Sequence, residues 1–266
     1  MTPKAPSFLY GTAWKEDRTS DCVTAALKAG FRAIDTANQR KHYNEAAVGE
    51  AIAASGIRRE DLFLQTKFTY RQGQDHRLPY DPSAPLSTQV DQSIASSLEH
   101  LRTDYLDSYL LHGPASGYGW TADDLEVWQA MQRHHETGRL RHIGVSNVSL
   151  RHLQQMPETP AFVQNRCFAR FGWDREIRAY CRDHDIVYQG FSLLTANVEA
   201  LHHPLIEEIA AHLRAGIAQV IFAFARQIGM LPLTGTTDPA HLREAHDSLS
   251  LQLPQEAIEA IESLVG

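Results

Sequence analysis

The amino-acid sequence predicts a single-domain (β/α)8 barrel, also called a TIM barrel, over residues 1–266. Two observations carry this prediction. Short apolar segments of strand length alternate with helical segments, and the chain length suits one such barrel. The alternation also implies parallel strands joined by right-handed crossovers. An open doubly wound sheet is the alternative, and it is less favoured because no Gly-x-Gly-x-x-Gly motif follows the first strand segment.

The strand segments are too short for helices and are rich in β-branched, aromatic and leucine residues. Several are almost continuously apolar, as strands that are covered on both faces should be. We predict eight strands, at Phe8–Tyr10, Phe31–Asp35, Leu62–Lys67, Tyr105–His112, His142–Ser146, Phe162–Asn165, Ile186–Ser192 and Met230–Thr234.

Helical segments lie between the strands, and capping residues mark several of their ends. Thr19 and Ser20 precede the first helix, and Thr121 precedes the fourth. Asp238 is followed by a proline, as at many helix starts. We predict helices at Asp21–Ala29, Asn44–Ala54, Ser87–Leu101, Ala122–Thr137, Asp174–His184, Ile217–Ile228, Pro239–His246 and Pro254–Leu264. Since no strand follows the last one, we expect an accessory C-terminal helix packed outside the barrel.

Composition and charge exclude several classes of function. The formal net charge of −7 and the lack of long basic runs argue against a nucleic-acid partner. The three cysteines show no metal-ligand spacing, and the fourteen histidines include no His-Glu-x-x-His motif, so we expect reduced thiols and no metal. No apolar segment approaches the roughly 20 residues that cross a bilayer. We therefore expect a cytoplasmic protein with no membrane partner, either a monomer or a weak homo-oligomer.

Polar residues stand where the apolar strands end, and the carboxyl ends of barrel strands converge on one mouth that holds catalytic groups. Asp35 and Lys67 end neighbouring strands. Because a buried ionisable side chain is costly unless it is paired, we expect the two to neutralise each other. A structural ion pair that braces the barrel is the alternative interpretation. The loop-like stretch Arg71–Pro85 follows the third strand directly, so it lies on the same face and is a candidate substrate cover.

A series of short motifs runs in order along nearly the whole chain. The series comprises Gly11-Thr12, Asp35-Thr36-Ala37, Asn44-Glu45, Val48-Gly49, Thr66-Lys67, Leu111-His112-Gly113-Pro114, Gly144-Val145-Ser146-Asn147, Gln164-Asn165 and Phe191-Ser192-Leu193-Leu194. In order and spacing it resembles the aldo-keto reductases from about Phe8 to Glu244. The resemblance implies hydride transfer between a nicotinamide cofactor and a small-molecule carbonyl compound or alcohol.

The resemblance also implies four catalytic residues, Asp35, Tyr43, Lys67 and His112. Tyr43 would give the proton that the reduced oxygen needs, although an ordinary tyrosine pKa of about 10 is high for that task. The Lys67 ammonium is expected to lower the Tyr43 pKa, and Asp35 to keep Lys67 charged and oriented. His112 can donate a hydrogen bond to the carbonyl oxygen and align it.

The tyrosine segment is two residues longer than the family pattern Asp-x-Ala-x-x-Tyr-x-Asn-Glu. Counting back from Asn44 places His42 at the acid position, whereas counting forward from Asp35 places Arg40 there. Tyr43 is the only phenol in this loop, so we predict that the longer loop bends to deliver it. His42 is the alternative acid, and it is also a candidate substrate contact.

The cofactor contacts are likewise implied by the resemblance. They are Gly11, Thr12, Asp35, Ser146, Asn147, Gln164, Phe191, Ser192, Leu194, Thr234, Gly235, Thr236, Thr237, His241 and Glu244. Ser146, Asn147 and Gln164 would bind the nicotinamide carboxamide, and Phe191 would stack on the ring. The segment that begins at Thr234 runs into a helix N-terminus and would cradle phosphates.

Many family members have Lys-Ser and a following Arg where this chain has Thr234-Gly235 and, approximately, His241. Those cations hold the 2′-phosphate of NADPH, and His241 and Arg243 would replace part of their charge. We expect NADPH as the cofactor and keep NADH as the alternative.

Aromatic residues after the strands offer a pocket for an apolar or ring-bearing carbonyl compound. The candidate substrate contacts are Trp14, His42, Phe68, Tyr70, His112, Tyr118 and Trp120, with core packing as the alternative for each aromatic. Two other functions remain open. One is an aldolase or isomerase that forms a Schiff base on Lys67, and the other is a non-catalytic barrel subunit that binds the cofactor.

Overall fold

The computed structural model describes residues 5–264, in which eight parallel strands close into a barrel. Each strand pairs with the next along the chain, and the eighth pairs with the first through Leu9 and Leu233. The strands are β1 Leu9–Gly11, β2 Ala33–Asp35, β3 Phe63–Phe68, β4 Ser108–Leu111, β5 Ile143–Ser146, β6 Phe162–Arg166, β7 Val187–Phe191 and β8 Met230–Thr234. The predicted barrel is confirmed, and the open-sheet alternative is wrong because β1 and β8 are hydrogen-bonded.

Two strands begin more than one residue later than predicted, because residues before them are apolar without joining the ladder. β2 begins at Ala33 rather than Phe31, whose buried ring packs 5.4 Å from that of Phe8. β4 begins at Ser108 rather than Tyr105, and Leu106 forms only an isolated bridge. In these two segments an apolar residue therefore indicates a buried side chain, but it does not show that the backbone pairs in the sheet.

Helices surround the barrel. They are α1 Thr19–Lys28, α2 Glu45–Ser55, α3 Leu86–Leu101, α4 Ala122–Glu136, α5 Leu150–Gln155, α6 Arg175–Asp183, α7 Val198–Leu201, α8 Pro204–Leu213, α9 Ile217–Gln227, α10 Pro239–Asp247 and α11 Gln255–Glu262. The caps at Thr121 and Asp238 are confirmed, since their side chains accept from backbone N–H groups. The Thr19 and Ser20 cap is wrong, because α1 begins at Thr19 directly after a 3-10 turn.

Three short helices, α5, α7 and α8, lie where no helix was predicted. The accessory C-terminal helix, α11, is confirmed outside the barrel. It buries Ile258 and Ile261, and the Trp173 indole donates to the Ile261 carbonyl oxygen at 3.2 Å.

The barrel interior has an apolar end and a polar end. Leu9, Ala33 and Leu231 form an apolar cluster inside the amino-terminal end of the strands. Two positions after Phe63, Gln65 on β3 bonds across the interior to Gln189 on β7 at 2.7 and 2.9 Å. Because alternate strand residues face the same side, residues two positions further along face the mouth.

Within residues 5–264, no single helix is long and apolar enough to cross a membrane. The bent pair formed by α8 and α9, at 93° to each other, meets that criterion on length and composition alone. No group of three or more His, Cys, Asp or Glu side chains in this part of the chain is placed to hold a metal ion.

Candidate active site

Five buried side chains form a polar floor beneath the mouth of the barrel: Asp35, Gln65, Lys67, Gln164 and Gln189. Their shared centre is the carboxylate oxygen Oδ1 of Asp35. It accepts from Lys67 Nζ at 2.6 Å, Gln65 Nε2 at 2.7 Å and Gln164 Nε2 at 3.1 Å. Charge-assisted bonds of this kind are about twice as strong as neutral ones, so they fix the geometry of the floor.

Lys67 is the cation of the floor, and it is removed from solvent. Its ammonium also donates to the Thr36 carbonyl oxygen at 2.7 Å. Burial lowers the Lys67 pKa, and the Asp35 carboxylate opposes this effect. The expected Asp35–Lys67 pair is therefore present, with two fixed acceptors that favour the charged ammonium.

Tyr43 and His112 lie beside this ion pair. The Lys67 ammonium is 5.7 Å from the centre of the Tyr43 ring, and the rings of Tyr43 and His112 are 6.0 Å apart, edge to face. The structure thus brings three side chains of the predicted catalytic set around Asp35.

The β2–α2 loop, residues 36–44, delivers Tyr43 by bending back on itself. The backbone N–H groups of His42 and Tyr43 both donate to the Gln39 carbonyl oxygen, at 3.1 and 3.0 Å. The Gln39 side chain donates to the Gly73 carbonyl oxygen at 2.7 Å, so the segment after β3 braces the turn. The Gln39–Tyr43 segment therefore forms a hydrogen-bonded turn directly before α2.

His42 occupies a different position from Tyr43. Its ring stacks on that of Trp14 with centres 3.5 Å apart, and the Trp14 N–H donates to the His42 carbonyl oxygen at 2.8 Å. Trp14 is 68% exposed, so this pair lies at the surface of the site. Burial, then the neighbouring Lys41 charge, lowers the His42 pKa.

The prediction that Lys67 lowers the Tyr43 pKa is wrong for this geometry. Burial raises the Tyr43 pKa well above its ordinary value, and the Asp35 carboxylate raises it further. The free-energy cost of moving the phenolate out of water is larger than its attraction to the Lys67 ammonium, because that ammonium is already paired with Asp35. Tyr43 therefore holds its proton at neutral pH.

His112 is a neutral imidazole at neutral pH. Burial, then the charges of Lys67 and His42, lowers its pKa to about 3. Its Nδ1 lies 2.7 Å from the Thr69 hydroxyl oxygen, and its backbone N–H donates to the Phe68 carbonyl oxygen at 2.8 Å. A neutral ring still has one N–H to donate, so it suits hydrogen bonding to a carbonyl oxygen.

Ser146 and Asn147 end β5 beside the floor. The Ser146 hydroxyl donates to the Gln164 carbonyl oxygen at 2.8 Å, and the Asn147 amide donates to the His112 carbonyl oxygen at 2.8 Å. Asn147 has a left-handed backbone conformation with φ of 56°. These contacts hold the exposed Asn147 amide and the buried Ser146 hydroxyl next to Gln164.

Gly11 and Thr12, at the end of β1, are fully buried. The Thr12 hydroxyl donates to the Asp35 carbonyl oxygen at 3.1 Å. Phe191 and Ser192 end β7 and are partly buried, as is Leu194. These side chains therefore complete the wall of the mouth on both sides of β8.

The β8–α10 turn, residues 234–238, contains the predicted phosphate cradle. A Cβ added at Gly235 would lie 3.3 Å from the Gly11 carbonyl oxygen and 3.5 Å from Lys15 Nζ, so the glycine keeps this space open. Lys15 is buried, and its ammonium donates to the Gly235 carbonyl oxygen. Within residues 5–264 it has no carboxylate partner.

The charged residues of α10 point in different directions. His241 and Glu244 are exposed, and the His241 ring lies 4.0 Å from the Asp238 carboxylate. Arg243 instead lines a groove of about 430 Å³ between α10 and α1, together with Lys28. Since residues two apart on a helix face nearly opposite sides, His241 and Arg243 do not share one face of α10, and their part in replacing the missing charge stays a prediction.

The aromatic candidates divide into core and surface residues. Phe68 and Tyr70 are buried, and the Tyr70 hydroxyl donates to Asp124 at 2.9 Å, so the predicted substrate contact at Tyr70 is corrected to core packing. Trp120 is partly buried and donates to the His152 carbonyl oxygen at 2.7 Å. Tyr118 is 86% exposed.

The sequence between residues 9 and 265 matches the model of the Aldo/keto reductase family. The chain belongs to this family. It is accordingly an oxidoreductase, and the resemblance seen in the sequence is confirmed.

Two relatives and one solved structure illustrate the similarity. An aldo-keto reductase of Mycobacterium avium is 35% identical over 267 residues, covering 98% of this chain and 86% of that protein. A glyoxal reductase of Bacillus subtilis is 30% identical over 254 residues, covering 93% of this chain and 84% of that protein. The crystal structure of an aldo/keto reductase from Brucella melitensis has a TM-score of 0.84 and 30% identity, covering 99% of this chain and 98% of that one.

Four polar residues of this aldo-keto reductase site were not found from the sequence: Lys15, Gln65, Thr69 and Gln189. Lys15 follows β1 next to Trp14, and a cation after a strand end was an available signal. Thr69 lies two positions after Lys67, so strand alternation places it on the same side. Gln189 gave no signal, because it stands within an apolar strand and meets its partner only through the closed barrel.

Proposed function

We propose that this aldo-keto reductase reduces a small aldehyde or ketone to the alcohol, with NADPH as the hydride donor. The observation that carries the proposal is the position of Tyr43 and His112 beside the buried Asp35–Lys67 pair. Aldo-keto reductases use NADPH. The relative named glyoxal reductase supports a small carbonyl compound as the substrate.

The mouth of the barrel fits a phosphate-bearing nicotinamide cofactor. Lys15 is a buried ammonium whose positive charge has no carboxylate in the described part of the chain, and a phosphate would neutralise it. The open space at Gly235 and the α10 N-terminus suit the phosphates. Ser146, Asn147 and Gln164 offer side-chain oxygen atoms as acceptors for the carboxamide NH2, because their own O–H and N–H groups already donate within the protein. The nicotinamide ring supplies a hydride when it is bound.

Tyr43 acts as the general acid. Since burial raises its pKa, the phenol is protonated at neutral pH and can give its proton to the oxygen of the reduced carbonyl. Lys67, held charged by Asp35, then stabilises the tyrosinate that remains. A protonated Tyr43 favours the direction of carbonyl reduction over alcohol oxidation.

His112 binds and aligns the substrate carbonyl through its neutral N–H group. His42 lies against Trp14 and contacts the rest of the substrate rather than the reacting oxygen. The exposed Trp14 and Tyr118 and the partly buried Trp120 are candidates to contact an apolar substituent.

The cofactor preference rests on the β8–α10 turn and α10. His241 is an exposed side chain 4.0 Å from the Asp238 carboxylate, and Glu244 is a carboxylate available to the adenosine end. This chain lacks the lysine and arginine that many family members have at these positions. We therefore expect it to prefer NADPH over NADH less strongly than those members do. NADH remains usable at higher concentration.

The alternative of a Schiff base on Lys67 receives less support. A nucleophilic amine must lose its proton, whereas Lys67 Nζ donates to both Asp35 and the Thr36 carbonyl oxygen. No observation favours a non-catalytic role, because the Asp35–Lys67 pair, Tyr43 and His112 lie together.

The test is a steady-state assay of NADPH oxidation with glyoxal and a panel of small aldehydes, ketones and sugars. We expect turnover of at least one aldehyde, loss of that turnover in Tyr43→Phe, and no adduct on Lys67 after borohydride treatment. Cofactor binding without turnover of any compound would establish the non-catalytic alternative. A borohydride-trapped substrate on Lys67 would establish the Schiff-base enzyme.

A further inference from the structure

We propose that Thr69 is a positioning residue that donates a hydrogen bond to His112 Nδ1 and thereby keeps the imidazole proton on Nε2. The proposal rests on the proposed carbonyl reduction and extends it. Thr69 acts through His112 and does not itself touch the reacting atoms.

The two side chains are held at a fixed separation by the barrel. Thr69 directly follows β3, and His112 directly follows β4. The ladder between these strands continues past their ends, since the His112 N–H donates to the Phe68 carbonyl oxygen at 2.8 Å. The Thr69 hydroxyl oxygen lies 2.7 Å from His112 Nδ1, and Thr69 is only 5% exposed.

The count of hydrogens decides which atom donates. A neutral imidazole has one N–H, and a hydroxyl has one O–H. If the ring proton were on Nδ1, it would donate to Thr69, and the buried Thr69 proton would have no acceptor within residues 5–264. If Thr69 donates instead, both groups are satisfied and the ring proton stands on Nε2. Burial lowers the His112 pKa to about 3, so the ring is neutral and this count applies.

The arrangement leaves Nε2–H as the donor for a substrate oxygen. Within the described residues, the Thr69 hydroxyl is the only hydrogen-bond partner of the His112 ring. The rings of Tyr43 and His112 are neighbours, edge to face with centres 6.0 Å apart, so a carbonyl that accepts from Nε2–H would lie next to the proposed acid. Without Thr69, the ring would be free to rotate or to move its proton to Nδ1, and the donor would be lost.

Thr69 offers a matched pair of substitutions. Its methyl group packs on the segment that braces the β2–α2 loop, since a Cβ at Gly73 would lie 2.7 Å from Thr69 Cγ2. Thr69→Val keeps that methyl and removes the hydroxyl, whereas Thr69→Ser does the reverse. The Thr69 carbonyl oxygen, which accepts from the Tyr80 hydroxyl at 2.7 Å, is retained in both.

We expect Thr69→Val to lower kcat for the best aldehyde by about 10- to 100-fold, a loss somewhat below that of a direct oxyanion donor. The KM for NADPH and the thermal unfolding temperature should not change. Thr69→Ser should stay within about threefold of wild type. Equal kcat in Thr69→Val and wild type would overturn the proposal, as would a loss in Thr69→Ser as large as in Thr69→Val.

A second measurement does not depend on activity. Nitrogen-15 NMR of the histidine rings, with His112 assigned by its absence in His112→Gln, reads the protonation of each ring nitrogen. We expect wild type to carry the proton on Nε2, and the Nδ1 resonance to shift in Thr69→Val. A proton on Nδ1 in wild type refutes the assignment even if Thr69→Val does not fold. If wild type reduces no carbonyl compound, the proposed function fails, while this spectrum still decides the Thr69–His112 bond.

Discussion

The polar floor and the β8–α10 turn both place polar groups at the mouth. The groups of the floor are hydrogen-bonded to one another, whereas several groups in and beside the turn have few partners within the protein. In the floor, Asp35 alone accepts from three donors, and each member is buried. In the turn Thr237 is exposed, as is His241 on the adjoining α10, and the buried Lys15 beside the turn meets only the Gly235 carbonyl oxygen. The floor is complete within the protein, whereas the turn has groups left for a ligand. Changes in the floor should therefore affect folding, and changes in the turn should affect cofactor binding alone.

The largest effect is expected from Lys67→Met. Removing the ammonium leaves the Asp35 carboxylate buried without a cation, which costs about 3–5 kcal/mol of unfolding free energy. Chemical denaturation should show this loss, together with loss of activity. The double variant Asp35→Asn, Lys67→Met should regain part of the stability, because no charge remains buried.

Thr237→Ala in the turn is the matched control, since surface substitutions usually change stability by less than about 0.5 kcal/mol. If Lys67→Met were as stable as Thr237→Ala, the floor would not be the internally paired unit described above.

The next effect concerns the β2–α2 loop, which lies over the floor. Tyr43→Phe removes the proposed acid and should lower kcat/KM by about 10²- to 10⁴-fold, with unchanged stability. His42→Ala should change kcat/KM by less than about tenfold, since His42 stacks on Trp14 and not on His112. The reverse ranking of the two variants would assign the acid role to His42.

The floor was partly predictable because burial forces pairing. Asp35 and Lys67 each follow an apolar run, and elementary electrostatics requires a partner for each. The Gln65–Gln189 bond was not predictable, because it joins strands that are far apart along the chain and depends on the closed barrel. The sign of the Tyr43 pKa shift was missed for a related reason, since the sequence does not reveal the depth of burial.

In the β8–α10 turn and in α10, the sequence motif does not specify the direction in which each side chain points. Thr234 to Thr237 were predicted as a phosphate site from their small size and the helix that follows them, and they stay a prediction. The separation of His241 from Arg243 was missed, although helical periodicity alone predicts opposite faces. Thr69 was missed because no motif marks it, even though its spacing from Lys67 places it toward the mouth.

A smaller effect is expected in the pH dependence of kcat/KM, which reports on His112 and Tyr43 beside the floor. His112 has its pKa lowered to about 3, so its neutral form persists well below the ordinary histidine range. Tyr43 has its pKa raised, so its acid form persists on the alkaline side. From about pH 5 to about pH 8, kcat/KM for carbonyl reduction should therefore vary by less than about threefold. An acidic limb near the ordinary histidine pKa that His112→Gln removes would contradict a neutral His112.

The smallest effect is expected on α10. His241→Ala should raise the KM for NADPH by at most about fivefold, because one exposed polar contact to a phosphate contributes about 0–1 kcal/mol. The KM for NADH, which lacks the 2′-phosphate, should not change. Arg243→Ala is the matched control, since Arg243 lines the groove toward α1 and should leave both values unchanged. If Arg243→Ala were the variant that raised the KM for NADPH, the adenosine end would bind on the α1 side of α10, and the β8–α10 turn would no longer be the region completed by the ligand.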